Sequence, residues 1–360
     1  MKNKFISLAL IAGLAACSGG NPFDEADTGT GTGSGTDGGT TGGETDGGGI
    51  SAGGTPPGTI TPSPNSSLVR REALVEGDGT NAGNGFVTTV TLNANDTFTV
   101  DNIAFDGDRP YDRGTAVSSL SPREDGTGRF QVYEAPAEAI DPVNGRVIDQ
   151  AGYRAIYGQS RNTVTNSDGS VVPTTKFAIV RTGSYINYGF GGFIYQRDTS
   201  VTLPETLQAQ YIGKSAGLRD SNTSGGLMYT TADVVVDIDH DDFNDKAVIR
   251  GDGVKGVIRN RRVFDLEGND VTSTVANTLE EGTTSIPDVG FVVKPDVLDN
   301  NGEILADIFT TSSAGTRLET GKFYAIVSGD NPDEIVGVYV LEAAGNRDTS
   351  GFIVYRDDPA

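Results

Sequence analysis

One cysteine, one histidine, two methionines and no tryptophan stand in a chain of 360 residues. The lone cysteine excludes a disulfide framework. The lone histidine, His240, leaves a zinc site without companions. A Ser–His–Asp arrangement would have to use His240, and no Gly-x-Ser-x-Gly elbow accompanies it. Paired carboxylates for glycoside hydrolysis stay open among so many acids, but no tryptophan is present to form a sugar platform. Cations are scarce as well. Lys and Arg number 27 against 49 Asp and Glu, a net charge of −22. That balance excludes nucleic acid, whose phosphates need a basic footprint, and an anionic membrane surface as a docking site. It leaves room for basic partners. No catalytic constellation and no cofactor motif emerges, so the chain reads as a non-enzyme.

What is present begins at the N-terminus. Lys2 and Lys4 precede a short apolar run, Phe5 to Ala12, as in a secretory signal. The run is too short to span a bilayer, which takes about 20 apolar residues. Leu14-Ala15-Ala16-Cys17 follows and resembles a bacterial lipobox. In such a motif the chain is cut before the cysteine, so residues 1–16 are expected to be a lipoprotein signal peptide. Cys17 would then be the lipidation site, carrying three acyl chains, more than the two signals that stable anchoring needs. Ser18 rather than Asp after Cys17 is compatible with sorting to the outer membrane, so the expected partner of the acylated cysteine is that bilayer.

Residues 17–66 are almost wholly Gly, Thr, Ser, Asp and Pro. Such a segment buries too little apolar surface to offset its ordering entropy, and reads as a disordered tether with an r.m.s. reach of about 35–42 Å. Its glycines lack the strand–loop–helix setting of a phosphate loop. Beyond it, short Val/Ile/Thr/Tyr/Phe runs alternate with Gly-rich turns, the pattern of an all-β protein with few helices. Residues 67–202 read as a small antiparallel β domain. Its strands include Thr97–Val100, Arg129–Tyr133, Tyr153–Tyr157, Lys176–Val180 and the aromatic run from Tyr185 to Tyr195. That run reads in two ways, as a ligand-facing surface or as the packing of a sheet. Residues 203–360 carry some eight short strands at regular spacing, which predicts an up-and-down barrel without exposed edges. In Ala232–Asp239, for example, Val234, Val236 and Ile238 share one face and Asp233, Asp237 and Asp239 the other. Lys246–Gly251 reads as the returning strand. An eight-stranded barrel is filled by side chains or holds one small ligand.

The order Tyr211-Ile212-Gly213, Val235-Val236-Asp237-Ile238-Asp239 with Phe243, and Ile249-Arg250-Gly251 looks like the barrel of transferrin-binding protein B lobes. Gly321-Lys322-Phe323-Tyr324 followed by Asp333-Glu334-Ile335-Val336-Gly337 resembles that family's closing strands. The resemblance covers the last 150 or so residues. It implies a β-rich handle-like domain paired with the barrel, on a surface lipoprotein that binds a partner. The same barrel occurs in surface lipoproteins that bind factor H or scavenge haem. This chain departs from the family in having length for one lobe only. It also replaces the Gly-Pro step after Gly-x-Phe-Tyr by Ala325–Gly329, and has no counterpart of the transferrin-contacting loops. The expected ligand is therefore an unidentified protein or small molecule.

Three further features bear on function. Asp237 to Asp245 is the densest acidic cluster, but Asp242 and Val248 occupy the places where an EF-hand loop needs Gly and Glu, leaving a looser calcium site or a charged hairpin end. Arg259–Arg262 reads as a short basic, solvated turn. Phe177–Val180 and Arg197–Ser200 are echoed by Tyr324–Val327 and Arg347–Ser350, similar strand chemistry rather than proof of duplication. Two roles follow: an outer-membrane, surface-exposed lipoprotein whose barrel module binds a ligand, or a periplasm-facing structural or assembly component of the envelope.

Overall fold

A computed structural model describes residues 55–73, 87–101, 103, 109–121, 130–141, 143–149, 152–183, 190–206, 208–221, 226–240, 253–294, 297–343 and 345–357. The expectations for the signal, for Cys17 and for the first part of the tether lie outside them. So do Asp241 to Gly251, Tyr185 and Tyr188.

Among the described residues the first domain has thirteen strands. They are β1 (Leu68–Arg71), β2 (Val90–Leu92), β3 (Phe98–Val100), β4 (Asp112–Arg113), β5 (Ser119–Leu120), β6 (Phe130–Ala135), β7 (Glu138–Ile140), β8 (Val147–Asp149), β9 (Tyr153–Gln159), β10 (Thr163–Thr165), β11 (Val171–Pro173), β12 (Thr175–Arg181) and β13 (Gly191–Arg197). Seven form one antiparallel sheet in the order β1-β13-β12-β9-β6-β4, with β5 also on β6, and the rest pair as three small hairpins. β2 and β3 form a hairpin across Asn93–Asp96, with Leu92 opposite Phe98.

Eight strands follow: β14 (Gln208–Ser221), β15 (Leu227–Asp239), β16 (Gly253–Phe264), then the one helix among the described residues, α1 (Thr272–Leu279), and β17 (Val289–Lys294), β18 (Glu303–Thr311), β19 (Arg317–Ser328), β20 (Glu334–Ala343) and β21 (Asn346–Arg356). Each pairs antiparallel with the next, and β21 closes on β14. The fold is all-β: a handle-like sheet domain followed by an eight-stranded up-and-down barrel. The strand returning from β15 is Gly253–Phe264, with Val236 opposite Gly256, where the pattern had marked Lys246–Gly251.

Alternation sets the barrel's two faces. Val234, Val236 and Ile238 join Tyr211, Val254, Ile258, Phe323 and Val354 in one buried interior cluster. Phe323 lies between Phe291 and Phe352, at ring-centroid distances of 4.6 and 4.9 Å. A Cβ at Gly256 would fall 2.0 Å from the Phe291 ring, so the ring fits only where a strand residue has no side chain. The outer wall pairs opposite charges directly across strands: Lys214 with Asp233, Asp237 with Lys255 and Asp307 with Lys322. In this layer an apolar interior and charged outer pairs reverse the pattern of a membrane-spanning barrel.

One side of the wall is apolar, and there the handle sheet packs. Leu120, Val132, Ile156, Phe177, Ile179 and Phe193 of the sheet meet Leu218, Tyr324, Ile326, Val336, Val338 and Ile353 of the barrel in a single buried cluster. This explains the sequence echo. Phe177–Val180 and Tyr324–Val327 are alike because each buries a face in the same seam. Phe177 reaches so close that a Cβ at Gly351 would lie 2.1 Å from its ring.

Residues 55–66, expected to be tether, differ from that reading. Thr59 N donates to Val69 O and Arg71 N to Pro57 O along the free edge of β1. Val201 N donates to Pro64 O, and Arg197 Nη2 donates to Ser63 O at 2.9 Å. A composition rule counts apolar side chains, whereas this segment is held through its backbone carbonyls and amides.

Candidate functional site

The barrel interior is the first place the sequence pointed to for a ligand, and side chains fill it. Below the aromatic layer lies a charged one. Arg261 forks onto Glu319, with Nη1 at 2.5 Å from Oε2 and Nη2 at 3.1 Å from Oε1. Arg219 stands 3.7 Å from the same carboxylate, and Thr310 Oγ1 donates to it at 3.1 Å. Asp348 accepts from Thr230 and Ser350 at 3.1 and 2.7 Å, and lies 3.7 Å from Arg261. Burial pushes the Glu319 carboxyl up, but the charge and hydrogen bonds of Arg261, with Arg219 and Thr310, outweigh it and hold it below the ordinary range. Arg261 had been read as part of a solvated basic turn. It is a buried strand residue, because a bulge in β15–β16 turns it inward while Asn260 and Arg262 stay exposed.

The seam between handle and barrel is pinned by buried polar contacts. Arg70 of β1 forks onto Glu303 of β18 at 2.6 Å twice. Arg197 of β13 donates to the carbonyls of Ser63, Ser66, Asn301 and Val327, and burial without a hydrogen-bonded carboxylate lowers its guanidinium to about 10. Glu334 of β20 accepts from Ser160, Asn162 and Thr174 of the handle. Burial outweighs those bonds and raises its carboxyl.

Where the seam opens, residues 116–121 and the barrel's outer wall enclose a cleft of about 760 Å³. The barrel side presents Lys214, Asp233, Asn260, Arg262, Phe264 and Glu267. Lys214 Nζ and Asn260 Nδ2 each donate to Asp233 at 2.5 Å. Burial pushes that carboxyl up, and these two donors outweigh burial and hold it below the usual range. Arg262 pairs with Asp270 and lies 5.2 Å over the Phe264 ring. Three described non-glycine residues have left-handed backbones, Asp96, Ser121 and Asn260 at φ 61°, 50° and 54°. Asp96 sits in a hairpin turn, but Ser121 and Asn260 both line this cleft. Such backbones cost on the order of 1 kcal/mol and concentrate at functional sites. Ser121 is held there by its hydroxyl, which donates to Ser215 O at 2.6 Å.

The residues singled out from the sequence are scattered. Asp237 and Asp239 project from the outer wall, accepting from Gln210 and Gln208. His240 is buried at 3% exposure. Among the described residues no group of His, Cys, Asp or Glu is arranged to hold a metal ion. Phe193 and Tyr195 of the aromatic run pack in the seam. The cleft was missed: its walls come from segments far apart in the chain, and only the isolated Asn260 among basic residues hinted at a bulge.

No family model and no curated protein matches the chain. Solved structures do. A double mutant of transferrin binding protein B from Haemophilus parasuis Hp5 is similar over 82% of this chain and 52% of that one, at 10% identity and TM-score 0.37. Isotype 1 transferrin binding protein B from serogroup B Neisseria meningitidis is similar over 61% and 39%, at 14% identity and TM-score 0.29. The N-lobe domain of lactoferrin binding protein B of Moraxella bovis is similar over 71% and 95%, at 11% identity and TM-score 0.25. The chain thus spans about half or less of these two transferrin binding protein B chains.

Proposed function

We propose that this protein is a lipid-anchored binding protein of the outer membrane, exposed on the cell surface. In this reading Cys17 is acylated, the Gly-rich segment after it is a leash, and the handle-plus-barrel body presents the seam cleft to a protein or small-molecule ligand. The observation that carries the reading is the cleft itself, with its two strained backbones. Its charge supports it too. Lys214 and Arg262 offset Asp233 and Glu267 within a chain of net charge −22, a locally balanced surface suited to an uncharged polar group or a peptide backbone. The filled interior argues for capture on the outside of the barrel.

The test has two arms. Protease applied to intact cells should release the folded body by cutting the leash, and Cys17→Ala should abolish both acylation and retention on the cell. A photo-crosslinker at Glu267 should then capture a single species, and Ser118→Trp should reduce its yield at least tenfold, whereas a crosslinker at Asp307 should capture none. Protection until the outer membrane is permeabilised would instead favour the periplasm-facing assembly role. Equal capture from Glu267 and Asp307 would remove the cleft from the reading.

A further inference from the structure

Five charged side chains meet at one corner of the handle–barrel seam. Glu72 follows β1 and Arg181 ends β12, both from the handle; Asp220 of β14, Glu342 of β20 and Arg347 of β21 come from the barrel. Arg181 Nη2 donates to Glu72 Oε2 at 2.9 Å and to Thr349 Oγ1 at 3.2 Å, and its Nε stands 3.5 Å from Asp220 Oδ2. Arg347 donates to Glu342 at 2.8 Å and stands 3.6 Å from Glu72. All but Glu342 are at most 1% exposed. Among the described residues, three carboxylates therefore share two guanidiniums. Neither oxygen of Asp220 accepts a hydrogen bond, nor does Glu72 Oε1. Opposite Asp220 on β15 is Leu227, which offers no compensation.

A buried carboxylate without a matched cation or donors is strongly disfavoured, and a proton is the cheapest remedy. We infer that this corner of the seam is a proton-linked latch: one bound proton neutralises the cluster and clamps handle to barrel, and loss of that proton loosens the contact. Burial pushes the Asp220 carboxyl up, Arg181 and Arg347 oppose it, and Glu72 and Glu342 add to it, leaving it at about 7. An unfolded aspartate releases its proton near 4. Between those values the folded protein holds the extra proton, so stability falls as pH rises, by up to about tenfold in the unfolding constant per pH unit. Above about 7 this contribution is flat. The latch is tight on the acid side. It stands independently of the ligand reading, although β14 also carries Lys214 of the cleft.

The test is urea unfolding of the full-length chain in detergent from pH 5 to 9, with a carbon-13 titration of aspartate carboxyls in which Asp220→Asn identifies the signal. The wild-type unfolding constant should rise at least tenfold more than that of Asp220→Asn between pH 5 and 7, and the Asp220 signal should titrate near neutrality. Glu342→Gln, which removes a neighbouring negative charge, should move that midpoint to lower pH, and it tests the latch should the Asp220 variant not fold. Parallel pH profiles for wild type and Asp220→Asn, an Asp220 signal titrating below pH 5, or an unmoved midpoint in Glu342→Gln would overturn the inference.

Discussion

Strands β14 and β21 set two charge pairs side by side in register: Arg219 opposite Asp348, and Asp220 opposite Arg347. Alternation sends the first pair into the barrel and the second out to the handle, so one wall separates two buried ion clusters. They start from the same chemistry and end differently. Inside, Arg261 and Glu319 join, giving two guanidiniums to two carboxylates, with the hydroxyls of Thr230, Thr310 and Ser350 taking up remaining lone pairs. Outside, Arg181 arrives with both Glu72 and Glu342, and no hydroxyl reaches Asp220. Among the described residues the inner cluster is matched and the outer one has a carboxylate too many. A buried salt bridge stabilises by virtue of its last few donors, not by the pairing alone.

The largest break in this comparison is at the inner cluster. Arg261→Met leaves Glu319 buried with Arg219, at 3.7 Å, as its one cation and Thr310 as a donor, and should cost about 3–5 kcal/mol, as loss of one partner of a buried pair does. Urea unfolding at pH 7 measures it. Adding Glu319→Leu to Arg261→Met should recover much of the loss, because an apolar replacement removes the orphaned charge. If the double variant is as unstable as the single one, packing rather than charge holds that layer together.

A smaller effect belongs to the other seam pair. Arg70 and Glu303 form a bidentate bridge with side chains 7% and 6% exposed, close enough to the surface for water to relieve an orphan. Arg70→Ala should cost about 2–3 kcal/mol, below the full penalty of a wholly buried pair. It also removes the donor to Thr59 O, so the strap at residues 55–66 should become cleavable by protease in the folded protein. Unchanged cleavage would mean that Arg197 and the β1 edge hold the strap without it.

Much of the barrel was legible in the sequence because its outer wall faces water. The split of Val234, Val236 and Ile238 from Asp233, Asp237 and Asp239 is the alternation a half-buried strand must show. The handle sheet was legible as strands but not as a packed face, since Phe177–Val180 reads the same whatever it covers. The ion clusters were not legible. Charged residues such as Arg219, Arg261 and Asp220 read as solvent-facing, and their burial depends on register with residues far along the chain. The cleft stayed hidden for a related reason: a bulge at Asn260 needs a partner strand before it exists.

The smallest expected effect sharpens the contrast by repeating the chemistry in water. Lys214 and Asp233 face each other across β14 and β15 at 2.5 Å, with side chains 32% and 23% exposed. An exposed pair of this kind contributes about 0.2–1 kcal/mol and is screened by salt. The Asp233 carboxyl is held below its usual range, so its contribution is present above the unfolded value near 4 and is lost as pH falls through the depressed folded value. Asp233→Asn should therefore lower stability by less than about 1 kcal/mol at pH 7, and by still less in 1 M salt or at pH 3. This is the opposite pH sense to Asp220, whose contribution grows toward acid. Two aspartates on neighbouring strands of one barrel should thus respond to pH with opposite sign, and urea profiles of the two Asp→Asn variants measured together test that directly: curves that diverge from wild type at the same end of the pH range would show that burial is not what separates them.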